Sequence, residues 1–200
     1  MTRNLAMQQT AVLIDAGYHS KIAKHFGNGK FFKHDVNQFA ITLAKKQGLW
    51  CSAVYFYTAP PFQGVPPDPA DAEKYHRYKS FVYNLRKIPN FTVREGRCQR
   101  INGEHLQKGV DTLLTMDLMT LGQNSEIETI VLVACDTDFV PILNHIRKAC
   151  KKKVILYYFS DRVRGSPFSM SNHILTACDK HVLIELDDFQ RSAIFKAKEK

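Results

Sequence analysis

What most limits the fold of this chain is a set of short apolar runs in which polar residues do not alternate. AVLI, TIVLVA and KVILYYF are nearly continuous in aliphatic and aromatic side chains. A strand with one face in water alternates apolar with polar residues, so uninterrupted runs predict strands covered on both faces. SAVYFYT, NFTVRE and HVLIEL add three more strands. Between them lie segments with helical periodicity: VNQFAITLAKKQG, Ala70 to Lys87, VDTLLTMDLMTLG, DFVPILNHIRKAC and HILTACD. Strands alternating with helices predict an α/β domain on a parallel sheet.

At 200 residues the chain suits one domain, with a core over about 10–187 and a tail over about 188–200. AVLID closes on a charge and then Gly17, which reads as a strand followed by a turn. TAPPFQGVPPDP holds five of the eight prolines and is read as irregular, as is the polar, basic stretch EGRCQRINGEHLQKG. The five cysteines lack any C-x-x-C pair, which argues against a disulfide framework and for a reducing cytoplasm. The N-terminus has no signal-peptide core, and the longest apolar stretch is far short of a membrane span. A soluble intracellular protein without a membrane partner is expected.

Parallel sheets collect functional groups beyond the carboxyl ends of their strands. Asp15 ends the first apolar run, Asp136 and Asp138 follow TIVLVA, and Asp111 opens the helix before it. Each has a plain structural alternative: a turn for Asp15, a helix cap for Asp136 or Asp138, the helix macrodipole for Asp111. Four converging carboxylates would repel one another unless a divalent cation neutralised them. An oxygen-rich set suits Mg²⁺ or Mn²⁺. Asp117 lies six residues beyond Asp111, about 120° around a helix, so it points elsewhere and either orients a neighbour or faces solvent.

The blocks AVLIDAGYHSK, KGVDTLLTMDLMTL, IVLVACDTDFVPILNHIRKACKKKVILYYF and SNHILTACDKHVLIEL resemble the NYN-domain proteins of the LabA/DUF88 group, within the PIN-like nucleases. The resemblance implies a PIN-like three-layer sandwich with a mostly parallel sheet of five or six strands. It also implies an acidic metal site that cuts phosphodiesters to leave a 5′-phosphate and a 3′-hydroxyl. The family's acidic catalytic and metal residues fall on Asp15, Asp111, Asp136 and Asp138. Lys108 matches its lysine, Thr137 its small hydroxyl position, and Asp117 a further acid. Two positions depart from the pattern: Tyr18 stands where the family often has Asn, and Ala134-Cys135 replaces Ser-Gly.

The formal net charge of +9 favours a polyanionic partner. RNA is expected ahead of DNA, and a second copy of the chain is a further candidate partner. Arg94, Arg97, Arg100 and Lys108 flank the approach to Asp111, and Arg162 and Arg164 leave the carboxyl end of VILYYF. These are the phosphate-binding candidates, with ordinary surface charge as the alternative. Lys151 to Lys153 enter the same strand at its other end and are assigned to a solvated helix terminus. Tyr75, Tyr78 and Phe81 read as core packing; base stacking assisted by Lys74 and Arg77 is the alternative. The eight histidines lack the i, i+4 zinc pairing, and GNGK at Gly27 lacks the spacing of a phosphate loop. The functional reading is a metal-dependent ribonuclease on single strands; the alternative is a PIN-like module that has lost turnover and regulates through RNA or a protein.

Overall fold

Residues 8–101, 104–161, 163, 165–166 and 168–194 are described by the computed structural model of the chain. The six apolar runs become strands β1 (Gln9–Asp15), β2 (Trp50–Thr58), β3 (Phe91–Glu95), β6 (Thr129–Val133), β7 (Lys153–Tyr158) and β8 (Lys180–Leu183). They form one sheet in the order β3-β2-β1-β6-β7-β8, and every neighbouring pair is parallel. The fold is the expected three-layer α/β sandwich. Among the described residues no helix is long and apolar enough to cross a membrane.

Strand parity divides the core in two. Val12 and Ile14 of β1, with Val131 and Val133 of β6, face helices α1 (Ala16–Phe26), α2 (Val36–Lys46), α3 (Pro69–Arg86) and α7 (Leu186–Gln190). Ala11, Leu13, Ile130 and Leu132 face α4 (Val110–Gln123), α5 (Val140–Lys148) and α6 (Asn172–Thr176). All five residues of β6 are buried, which is why TIVLV shows no polar alternation. Leu13 and Leu132 are paired in register and fully buried. Truncating either to Ala would cost about 2–5 kcal/mol.

Three segments differ from the sequence reading. Asp15 and Gly17 do not make a turn: α1 starts at Ala16, directly off β1, with Asp15 as its N-cap. The stretch assigned to a polar loop is an antiparallel hairpin, β4 (Arg97–Ile101) and β5 (Glu104–Lys108). The third difference is α7, beyond the last strand. Phe189 is fully buried in the core, and the buried Asp188 accepts a hydrogen bond from Lys46 Nζ at 2.7 Å and another from the Glu185 amide at 2.9 Å. Packed structure therefore runs past residue 187.

Candidate active site

From β1 the chain proceeds to β2 on one side, whereas β6 lies on the other. The connections diverge at this switch point and leave a crevice at the carboxyl ends of β1 and β6. Asp15 and Asp136 stand on its rim. Asp15 follows Ala11 and Leu13 in parity, on the face covered by α4, and Asp136 lies just beyond the end of β6, after Ala134, which is buried on that face. Asp111 reaches the same rim from the first turn of α4. That helix starts here because Gly109, at φ 82°, makes the left-handed turn out of β5 that a side chain would strain.

Both strand-end aspartates cap the helical turn that succeeds them. Asp15 Oδ1 accepts from the Gly17 amide at 2.8 Å, and Asp136 Oδ1 accepts from the Asp138 amide at 2.9 Å, opening the 3₁₀ turn Thr137–Phe139. A Cβ on residue 17 would stand 3.2 Å from Asp15 Oδ1, a tight approach that glycine avoids. The cap expected at Asp136 is thus real, Asp15 makes a cap in place of the expected turn, and both caps coexist with convergence. One cavity of about 410 Å³ is lined by Asp15, Asp111 and Asp136, together with Tyr18, Lys21, His105, Gln107 and Cys135.

Electrostatics link the carboxylates. Burial holds the Asp15 carboxyl above its ordinary range; the Gly17 and Tyr18 amides oppose this, Asp111 adds to it, and Lys21 opposes it. Burial also raises Asp111, and repulsion from Asp136 and then Asp138 raises it further. Asp138 therefore acts on the cluster although it does not line the cavity. Burial followed by the Asp15 charge pushes the Cys135 thiol up to about 11, so it is neutral at pH 7. Tyr18, at the family's Asn position, is buried and holds its phenol proton. Its hydroxyl accepts from the Phe159 amide at 2.8 Å and ties α1 to the segment after β7.

The donor set suits a hard cation: only carboxylate oxygens carry charge of the right sign, and burial, with repulsion among the carboxylates, makes Asp15 and Asp111 bind protons more readily than usual. Among the described residues no three His, Cys, Asp or Glu side chains stand close enough to enclose one ion directly. Mg²⁺ accommodates this arrangement, because it commonly keeps several waters and takes one or two protein carboxylates.

The other candidates are distributed unevenly. Thr137 is exposed between its two aspartates. In the hairpin, Arg97 is paired with Lys108 and Arg100 with His105. Paired residues share a face, so Arg100 lies on the face of His105 and Gln107, toward the acidic cavity. Arg97 and Lys108 lie on the opposite face, against a groove they share with Glu95 and Thr112. Arg162 and Arg164 fall outside the described residues. Arg94 is not a free phosphate ligand: its Nε and Nη2 donate to Asp117 at 2.8 and 2.7 Å, and the Tyr57 hydroxyl donates to the same carboxylate at 3.0 Å. Asp117 points away from the cavity and orients a neighbour, as its helical angle requires. Lys151 to Lys153 sit at the entry to β7, where Lys152 Nζ donates to the Asn124 carbonyl.

Sequence reasoning missed Lys21, His105 and Gln107. The last two had a signal, since Asn-Gly between alternating segments marks a two-residue hairpin and puts positions 105 and 107 on one face. Two further histidines form a buried pair. His34 Nδ1 donates to the Phe32 carbonyl at 2.7 Å, so its Nε2 accepts from His19 Nε2–H at 2.8 Å. Burial pushes His19 down to about 3 and keeps it neutral.

A family model described as NYN domain matches residues 9–185, a span that holds every strand of the main sheet. Among solved structures, the chain is similar to VPA0982, a protein of unknown function from Vibrio parahaemolyticus RIMD 2210633. The TM-score is 0.61 and the identity 20%, over 94% of this chain and 99% of that one. At that identity the likeness shows the fold alone. No curated protein matches the chain.

Proposed function

The chain belongs to the NYN domain family, and on that premise we propose that it is a divalent-metal-dependent nuclease of the LabA/DUF88 type, cutting single-stranded RNA in the cytoplasm. The observation that carries the reading is the convergence of Asp15, Asp111 and Asp136 from three separate elements on one cavity at the sheet's switch point. Asp15, Asp111, Asp136 and Asp138 would hold Mg²⁺ or Mn²⁺. Such an ion, when bound, supplies an activated water and offsets charge on the phosphate.

The chain's own residues do the rest. Lys21 lies on the cavity wall beside Asp15 and would hold a phosphate oxygen of the strand, with Arg100 and Thr137 at the margin. Arg97 and Lys108 would hold the backbone where it leaves over the hairpin's other face. Tyr18 keeps its proton and fixes the cavity wall. A recessed cavity between helix and hairpin admits a flexible single strand more readily than a stiff duplex.

A second reading, a regulatory module without turnover, is favoured by Tyr18 at the family's Asn position and by the spacing of the carboxylates. Incubation of single-stranded RNA and DNA with the purified protein in Mg²⁺, Mn²⁺ or EDTA separates the two. Metal-dependent cleavage that vanishes in Asp136→Asn supports the nuclease. Binding without cleavage in either metal would install the regulatory reading, and cleavage undiminished in Asp136→Asn would place any activity elsewhere.

A further inference from the structure

We propose that the groove next to the acidic cavity is a subsite for one unpaired base of a single-stranded nucleic acid, the neighbour of the phosphate held at the carboxylates. The proposal rests on the nuclease reading and adds the feature that would confine the enzyme to unpaired strands. The groove encloses about 420 Å³ and shares Gly17, Lys21 and Gln107 with the acidic cavity, so the two are continuous. That volume falls within the roughly 300–1,000 Å³ of typical small-ligand pockets.

Its walls have the chemistry of a base site. Phe31, from the loop after α1, and Phe81, from α3, are 43% and 42% exposed although each is anchored at one edge. Phe31 stacks on His34 at 5.6 Å and 19°, and Phe81 meets the buried Phe56 edge-on at 6.1 Å and 76°. Both rings are thus held in place with surface left uncovered. Aromatic faces beside cations are how proteins hold single strands without reading a duplex. Lys21 and Lys24 line the groove and, among the described residues, make no ion pair; none of the described lining residues is a carboxylate. The neighbouring cavities therefore have opposite character, one acidic and one basic with apolar walls. A nucleotide matches that pairing, its phosphate toward Lys21 and its base between the phenylalanines. Gln107 stands at the shared wall, able to hydrogen-bond a base edge. The buried His19 at the groove's floor is neutral, so the floor carries no charge that would repel or bind the ring.

From sequence, Tyr75, Tyr78 and Phe81 read as core packing, with base stacking as the alternative. Of the helical stripe Tyr75, Tyr78, Phe81, Val82 and Leu85, only Val82 and Leu85 are buried. Tyr78 donates to Glu95 at 2.9 Å from a half-buried position, and Phe81 is free on one side to stack.

The test is the affinity of an eight-nucleotide single-stranded RNA, carrying one 2-aminopurine, for protein in the Asp136→Asn background with Mg²⁺. Phe31→Ala and Phe81→Ala should each weaken binding about 5- to 150-fold and reduce quenching of the 2-aminopurine. Phe31→Tyr and Phe81→Tyr should stay within about twofold of the parent, since the ring is what stacks. Because Phe81 packs on Phe56, Phe81→Leu serves as the folded control: it keeps apolar bulk, loses the ring, and should lose affinity as Phe81→Ala does. Affinity unchanged in Phe31→Ala and Phe81→Leu overturns the subsite, even if the wild-type protein cuts RNA in a metal-dependent way. Phenylalanine-dependent binding without cleavage in any metal upholds the subsite and overturns the nuclease. Equal competition by a blunt duplex would also overturn the subsite, because a paired base cannot enter it.

Discussion

Replacing Asp117 distinguishes a structural carboxylate from a catalytic one. Asp117 is 8% exposed and accepts three hydrogen bonds, two from Arg94 and one from Tyr57. In Asp117→Ala the Tyr57 hydroxyl, on a residue with no exposed surface, loses its acceptor. An orphaned buried hydroxyl costs about 1–3 kcal/mol. The Arg94 side chain is 42% exposed and can turn to water, so its lost ion pair adds at most about 1 kcal/mol. The expected destabilisation is about 3 kcal/mol, or roughly 6–12 °C of melting temperature for a chain of this length. Thermal and urea unfolding measure it. Introducing Tyr57→Phe first removes the orphan, so Asp117→Ala should then cost only about 1 kcal/mol. At a temperature where both proteins are folded, metal-dependent cleavage should persist in Asp117→Ala. An unchanged melting temperature with cleavage abolished as in Asp136→Asn would refute the reasoning and make Asp117 a ligand.

Mn²⁺ at a hundredfold excess over its dissociation constant should stabilise the folded chain by about 2.7 kcal/mol, seen as a rise in melting temperature that EDTA reverses; an equal rise in Asp136→Asn would disprove binding at the carboxylates. Stability should also depend on pH with two opposite signs. The Asp111 carboxyl is raised in the folded state, so its contribution is present at low pH and lost as pH rises through its folded value. Asp111→Asn should accordingly stabilise the metal-free protein in urea at pH 7 and not at pH 3.5. His19 is depressed from 6.5 to about 3, so its contribution is present above 6.5 and lost as pH falls toward 3. Between pH 7 and 5 that loss is about 2 kcal/mol, measurable by urea unfolding of Asp15→Asn/Asp111→Asn, where the carboxylates no longer offset it; a flat profile would mean that the histidine pair accepts a proton in place. Finally, Lys151–Lys153→Ala should leave RNA affinity unchanged while Lys21→Ala weakens it and reduces its salt slope by about 1, because a six-residue strand spans about 20 Å against a screening length of about 8 Å; the reverse would mean that the strand wraps the back of the sheet.

Whether an element could be read from the sequence depends on which contacts hold it. TIVLV and AVLI were legible because burial on both faces leaves a local signature. Helix α7 left none: five residues cannot show a period, and it stays in place through Phe189 in the core and the Lys46–Asp188 pair, 142 positions apart in the chain. The start of α1 has a misleading local signal, because Gly17 reads as a turn, whereas here it makes room for the Asp15 carboxylate to cap.

The same division runs through the candidate site. Strand direction alone brought Asp15 and Asp136 to one edge, and helical angle alone turned Asp117 away from Asp111. Arg94 was a different matter, because its engagement with Asp117 joins β3 to α4 and has no local trace. The hairpin carries this furthest. As a loop, EGRCQRINGEHLQKG offers Arg97, Arg100 and Lys108 as equivalent cations. As strands paired Arg97 to Lys108 and Arg100 to His105, it separates them, because opposed residues share a face and adjacent pairs alternate. Arg100 shares the hairpin face of His105 and Gln107, which line the acidic cavity, while Arg97 and Lys108 face the groove with Glu95. Lys108, the residue matched to the family's lysine, thereby stands on the face away from the carboxylates. Its reach to a bound strand runs over the base of the hairpin, whereas Lys21, from the second turn of α1, lies on the cavity wall itself.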